Sequence, residues 1–210
     1  MGLKSIEKEK NMKTWLTADY HLGENRFELM GRPFKTQMEM IDHLMEQHNN
    51  IVSPDDTVII NGDVCYQKTP EFLPYVAKFN GHKCLIRGNH DRVFTDEELN
   101  PYFDRIIPEG KGIDIDIAGL QCYITHYPTE GKFDKFNLVG HIHSAWKYQL
   151  NSFNVGVDVN HFKPVNVDRI PFHFNAIKDF YDEDVWVAYN SINSMHLGSR
   201  GKKGTYFKPV

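Results

Sequence analysis

The chain has 210 residues, 40% of them hydrophobic and 25% charged, with a net charge of −4. That length suits one α/β domain, and the mildly acidic balance excludes a global basic field that would draw the chain to nucleic acid or an anionic membrane. No apolar run approaches the roughly 18 residues of a membrane span, so no membrane partner is expected.

Residues 1–11, "MGLKSIEKEKN", lack the apolar core of a signal peptide and read as a short extension before a single domain over 12–210. Residues 13–18, "KTWLTA", predict the first strand. Thr36 and Glu39 have capping-box spacing and open a helix in which Met38, Ile41, Leu44 and Met45 recur at helical intervals. Residues 57–61 form the next strand. Thr69-Pro70 suits a cap and first helical position for a helix through "EFLPYVAKF", with Pro74 inside it. "KCLIR" at 83–87 is the third strand. This β-α-β-α-β order predicts parallel strands with helices on their faces.

The second half reads differently. "GIDIDIAGLQCYIT" alternates and turns at Ala118-Gly119, predicting a hairpin. "FNLVG" and "FNVGV" are two further short strands, and together these suggest a second sheet packed on the first. "DVWVAY" at 184–189 is assigned as a strand. The tail "GSRGKKGTYFKPV" reads as a solvated basic end. Cys65, Cys84 and Cys122 are odd in number and lie beside apolar neighbours, which predicts reduced core thiols and a cytoplasmic location.

Five of these apolar runs stop abruptly on Asp, Asn or His. Asp19 and His21 follow the first strand, Asp63 the second, and Asn89 and His90 the third. His126 follows "CYIT", and His141 and His143 follow "NLVG". Any one of these is an ordinary turn or strand-end residue. Five together, in an architecture that binds ligands beyond the carboxyl ends of its strands, describe one rim. Its oxygen and imidazole donors, without thiolate, suit divalent Mn, Fe, Zn, Co or Ni. Two ions about 3.5–4 Å apart need a bridging carboxylate, and Asp63, central in chain order, is the natural one.

The ordered set Asp19-Tyr20-His21, Gly62-Asp63, Gly88-Asn89-His90-Asp91, His126 and Gly140-His141-Ile142-His143 resembles the calcineurin-like metallophosphoesterase family over about residues 13–160. The resemblance implies a four-layer α/β/β/α sandwich of two packed mixed sheets with the site at the strand tips. It implies one metal on Asp19, His21, Asp63 and His143, and a second on Asp63, Asn89, His126 and His141, manganese being the first choice of ion. It also implies that His90 stands beside the leaving group and that Asp91 orients it.

Two such cations would offset the charge of a phosphoester and acidify a water between them to give the attacking hydroxide. With no room for a large cap, a phosphodiesterase or phosphatase for small nucleotide-like substrates is expected. Arg26, Arg32 and Arg92 are the candidate phosphate contacts. A nuclease or repair phosphatase acting on nucleic-acid ends is the alternative, disfavoured by the acidic balance. A non-catalytic metal-binding scaffold is a third class, but no ligand position is lost. Oligomeric state is not legible.

Overall fold

Strands that are apolar on both pleat faces need cover on both sides. In the computed structural model, which describes residues 12–180, β1 (Thr14–Thr17), β2 (Thr57–Ile60), β3 (His82–Ile86) and β4 (Arg105–Ile107) lie side by side and parallel. The second sheet holds the hairpin β5 (Ile113–Ile117) and β6 (Leu120–Thr125), then β7 (Phe136–Val139), with β9 (Ser152–Asn154) next and β8 (Tyr148–Gln149) at the edge. Strands β6, β7 and β9 are parallel. A last strand, β10 (Val165–Asn166), returns antiparallel beside β1.

The pleat divides the apolar residues between two cores. Trp15, Val58, Ile60 and Leu85 pack with Met40, Ile41 and Leu44 of the helix Gln37–Asn49. Their neighbours Leu16, Ile59 and Ile86 point the other way, into Cys122, Ile124, Leu138 and Phe153 of the second sheet. Ile170 and Phe174 of a later helix (Ile170–Phe180) join that inter-sheet core. Two packed mixed sheets with helices make an α/β fold, as the sequence predicts.

Several local expectations are corrected. Thr36 accepts from the Glu39 N–H, but the Glu39 carboxylate reaches the N–H of Lys35 at 2.8 Å, so only half of the capping box forms. The helix expected through 71–79 is a run of 3₁₀ turns, Pro70–Lys78. Pro74 has no N–H to donate, and its ring crowds an α-helical turn. Thr69 makes no side-chain cap; its hydroxyl donates to the Gly23 carbonyl at 3.1 Å. The run "FNVGV" is a strand only to Asn154, and Val157 opens a 3₁₀ turn. The hairpin turn is as expected, with Ala118 and Gly119 at φ 53° and 86°. The strand assigned to 184–189 lies outside the described residues. Among the described residues, no helix is long and apolar enough to cross a membrane.

Candidate metal centre

The parallel strands bring their carboxyl ends to one place. Beyond those ends the chain must turn at once, and Asp19, His21, Asp63, His141 and His143 all hold left-handed φ angles, of 61°, 50°, 55°, 75° and 49°. Such conformations cost of order 1–3 kcal/mol each and persist where the surroundings over-determine them. Here the turns brace one another. The Asp19 N–H donates to the Gly62 carbonyl at 3.0 Å, and the His21 N–H to that of Asp63 at 2.9 Å. The His141 N–H donates to both oxygens of Asp19, at 3.1 and 3.0 Å, joining the two sheets.

Two glycines are required by space. At Gly62, φ is 88° and a Cβ would stand 2.2 Å from His126 Nδ1; at Gly88 it would stand 2.3 Å from Asp63 Oδ1. Neither contact is tolerable, so the close approach of these turns depends on having no side chain there.

Asp63 occupies the centre. Its Oδ2 lies 3.4 Å from Nε2 of His21 and 3.4 Å from Nε2 of His126. Around it, Asp19, His21 and His143 form one group and Asp63, His126 and His141 another, each with its ligating atoms all within 4.8 Å of one another. His90 completes a third such group with His21 and Asp63, so it too lies against the centre. His126 Nδ1 donates to the Asn61 carbonyl at 2.7 Å, which leaves Nε2 as a lone pair. His143 Nδ1 is engaged in the same way by Asp158 at 2.8 Å.

The donor set fits cations. His21 Nε2, His126 Nε2 and Asn89 Oδ1 are buried with no hydrogen-bond partner, a costly arrangement unless something else meets them. The charges point the same way. Burial opposes ionisation of Asp63, but the imidazoles of His126 and His21 outweigh it and hold the carboxyl well below the usual range. Burial also opposes protonation of His126, yet Asp63 and Asp19 together raise it to about 9. A field that holds a proton on a buried imidazole is a field for a positive charge.

The other expected site residues divide. Arg26 lines a pocket with His21, His90, His143, Glu24 and Met30, and its guanidinium lies 4.8 Å from the Tyr66 ring centre. Arg92 is exposed and paired with Glu109 at 2.6 Å. Glu109 also accepts from Tyr127, whose ring lies 4.8 Å from that of His141.

Arg32 does not face substrate. It is buried, and its N–H groups go to both Asp158 oxygens, the carbonyls of Asp19 and Tyr20, and Met40 Sδ. No donor is left for a phosphate. Nor does Asp91 orient the His90 ring. Its carboxylate accepts the N–H groups of Asp63, Val64 and Gly88 at 2.7, 3.0 and 2.9 Å, while His90 Nδ1 has no partner.

Three further residues belong to the site without having been expected. Asn61 donates through Nδ2 to the carbonyls of Thr125 and Leu138, holding the second sheet's tips against the first. Buried Glu24 accepts the Arg26 guanidinium at 2.6 Å. Burial disfavours its charge, but the donors of Arg26 and Asn25 bring its carboxyl down to about 2. Asp158 is the third. Asn61 adjoins the Gly-Asp motif, the one cue that was available; Glu24 and Asp158 carry no motif.

Fold and site together define a phosphoesterase of the calcineurin type. The chain belongs to the calcineurin-like phosphoesterase family, whose model matches residues 12–203. Members are metal-dependent phosphoester hydrolases, typically with two ions, and the ligand groups above are in keeping with that. The chain is 28% identical over 171 residues to the uncharacterized protein MJ1445 of Methanocaldococcus jannaschii, covering 75% of this chain and 89% of that protein. It is 35% identical over 82 residues to the Gene 66 protein of Mycobacterium phage L5, covering 37% and 39% respectively. The fold is similar to that of AQ665, a protein of unknown function from Aquifex aeolicus, with a TM-score of 0.60 at 23% identity over 77% of this chain and 98% of that one.

Proposed function

We propose that this phosphoester hydrolase cleaves small, nucleotide-like phosphodiesters, with Asp19, His21, Asp63 and His143 holding one divalent ion and Asp63, Asn89, His126 and His141 the other. The supporting observation is the placement of one Asp63 oxygen 3.4 Å from an imidazole of each group. Manganese is the favoured ion, with iron, zinc, nickel and cobalt as alternatives of the same donor preference. When bound, the pair would neutralise phosphate oxygens and supply a water acidic enough to react near neutral pH.

The chain's own residues prepare the rest. The carbonyl of Asn61 and the carboxylate of Asp158 fix the tautomers of His126 and His143, so that each offers Nε2. His90 lines the pocket, and we assign it to the leaving-group oxygen as proton donor. Burial lowers its proton affinity, and an anionic phosphate alongside would raise it again. Arg26, held by Glu24, supports the substrate's second arm, and Arg92 stands at the rim on the Glu109 side.

The diester preference is supported by the order of elements in the described residues, in which no separate cap domain is inserted between the strands of the two sheets. We place the protein in the cytoplasm on its three free thiols. One panel tests the reading: metal-stripped protein, reloaded with Mn, Fe, Zn, Ni, Co or Mg, assayed on matched mono- and diesters. Diesters should be cleaved at least as well. A clear preference for small monoesters overturns the substrate assignment and leaves the hydrolase chemistry standing.

A further inference from the structure

Asp158 stands in no motif, yet it is a buried carboxylate behind the site. Its Oδ2 lies 2.8 Å from His143 Nδ1. Its two oxygens also accept Nε and Nη2 of Arg32, at 2.7 and 3.0 Å. The two side chains are 3% and 0% exposed, so water supplies neither with a substitute partner. The same guanidinium takes the carbonyls of Asp19 and Tyr20. Those carbonyls belong to the turn in which Asp19 and His21 hold left-handed φ. One ion pair therefore touches His143 through its ring and Asp19 through its carbonyl, and reaches His21 through the carbonyl of Tyr20 just before it. In the other group His126 is held by the Asn61 carbonyl instead.

We propose that Asp158 is a positioning residue for the cation site of Asp19, His21 and His143, setting the His143 tautomer directly and bracing the Asp19–His21 turn through Arg32. This rests on the ligand assignment above and adds an asymmetry to it. A carboxylate accepts only, so His143 must carry its proton on Nδ1 and present Nε2 as its lone pair. Without that carboxylate the proton is free to move to Nε2, which removes a ligand. The bracing of the turn weakens in the same step, because Arg32 loses its bidentate partner.

The test is a Mn2+ titration of the metal-stripped full chain, followed by equilibrium dialysis and by the manganese resonance signal. Wild type should show two ions per chain. In Asp158→Asn one ion should bind about 10–100-fold more weakly, the usual effect of losing an outer hydrogen-bond partner, while the other stays within about two-fold.

Because that variant leaves Arg32 buried without its counter-charge, a second variant replaces the pair by apolar residues, Arg32→Met with Asp158→Leu. Such replacements commonly keep or raise stability. Here the carbonyls of Asp19 and Tyr20 also lose their Arg32 donors, so the variant should fold, melt about 5–10 °C lower without metal, and still show the selective loss of one ion. Unchanged binding of both ions in both variants overturns the role. So does equal weakening of both ions with a lowered melting temperature, and so does a paired variant that fails to fold, since each makes the pair a stability element only. A wild-type chain that binds no ion overturns the ligand assignment itself, and the Asp158 role with it.

Discussion

The backbone N–H of His90 donates to Oδ1 of Asp63 at 2.8 Å. The central carboxylate is thus held by the main chain of the residue whose side chain faces the pocket. Binding and chemistry are separable at this residue, because truncating the ring leaves the N–H in place. His90→Ala should keep its metal by elemental analysis. Turnover should fall by about 10²–10⁴-fold on esters with poor leaving groups and much less on an activated nitrophenyl ester, which departs unaided. A uniform drop with metal lost would make His90 part of the ligand set, which its placement beside His21 and Asp63 also allows.

Asp91 should behave in the opposite way. Asp91→Ala leaves three buried N–H groups, those of Asp63, Val64 and Gly88, without their acceptor. Each such loss costs about 1–3 kcal/mol, so the melting temperature should drop by roughly 10 °C. Metal should be lost with it, because Asp63 and Asn89 ride on those turns. Normal stability with a defect confined to poor leaving groups would restore Asp91 as the partner of the His90 ring.

A pH effect on stability is expected from a histidine outside the ligand groups. The Tyr20 hydroxyl donates to His48 Nδ1 at 2.6 Å, and His48 Nε2–H donates to the Asn80 carbonyl at 2.9 Å, a pattern that needs the neutral ring. Burial holds the His48 imidazole down, from 6.5 to about 4. The unfolded chain therefore binds a proton at higher pH than the native one. The contribution of His48 is complete above about pH 6.5 and is lost as pH falls toward 4. In urea unfolding, wild type should lose about 2 kcal/mol more than His48→Asn between pH 7 and pH 5. Equal pH slopes in the two proteins would contradict it.

The parts of this fold that are legible in the sequence are those decided by neighbours in the chain. "TVII" and "KCLI" read as strands because their residues are apolar on both pleat faces, and both faces are covered. The metal-ligand positions are legible because they follow the ends of such runs. What escaped was decided by partners far away. Arg32 reads as a phosphate ligand in its loop, but its partner Asp158 is 126 residues further on. Asp91 sits beside His90 in sequence, yet two of its three N–H donors come from the previous strand tip, 28 and 27 residues earlier. Pro74 is plain in the sequence, but that the whole segment Pro70–Lys78 winds as 3₁₀ turns around it is not.

The most direct test of the site is a count of ions. Metal content per chain should be compared for wild type, Asp19→Asn and Asp63→Asn after identical loading and dialysis. A shared Asp63 carboxylate predicts two ions in wild type, about one in Asp19→Asn, and fewer still in Asp63→Asn. A single ion in wild type, or equal loss of one ion in the two variants, would contradict a centre bridged by Asp63.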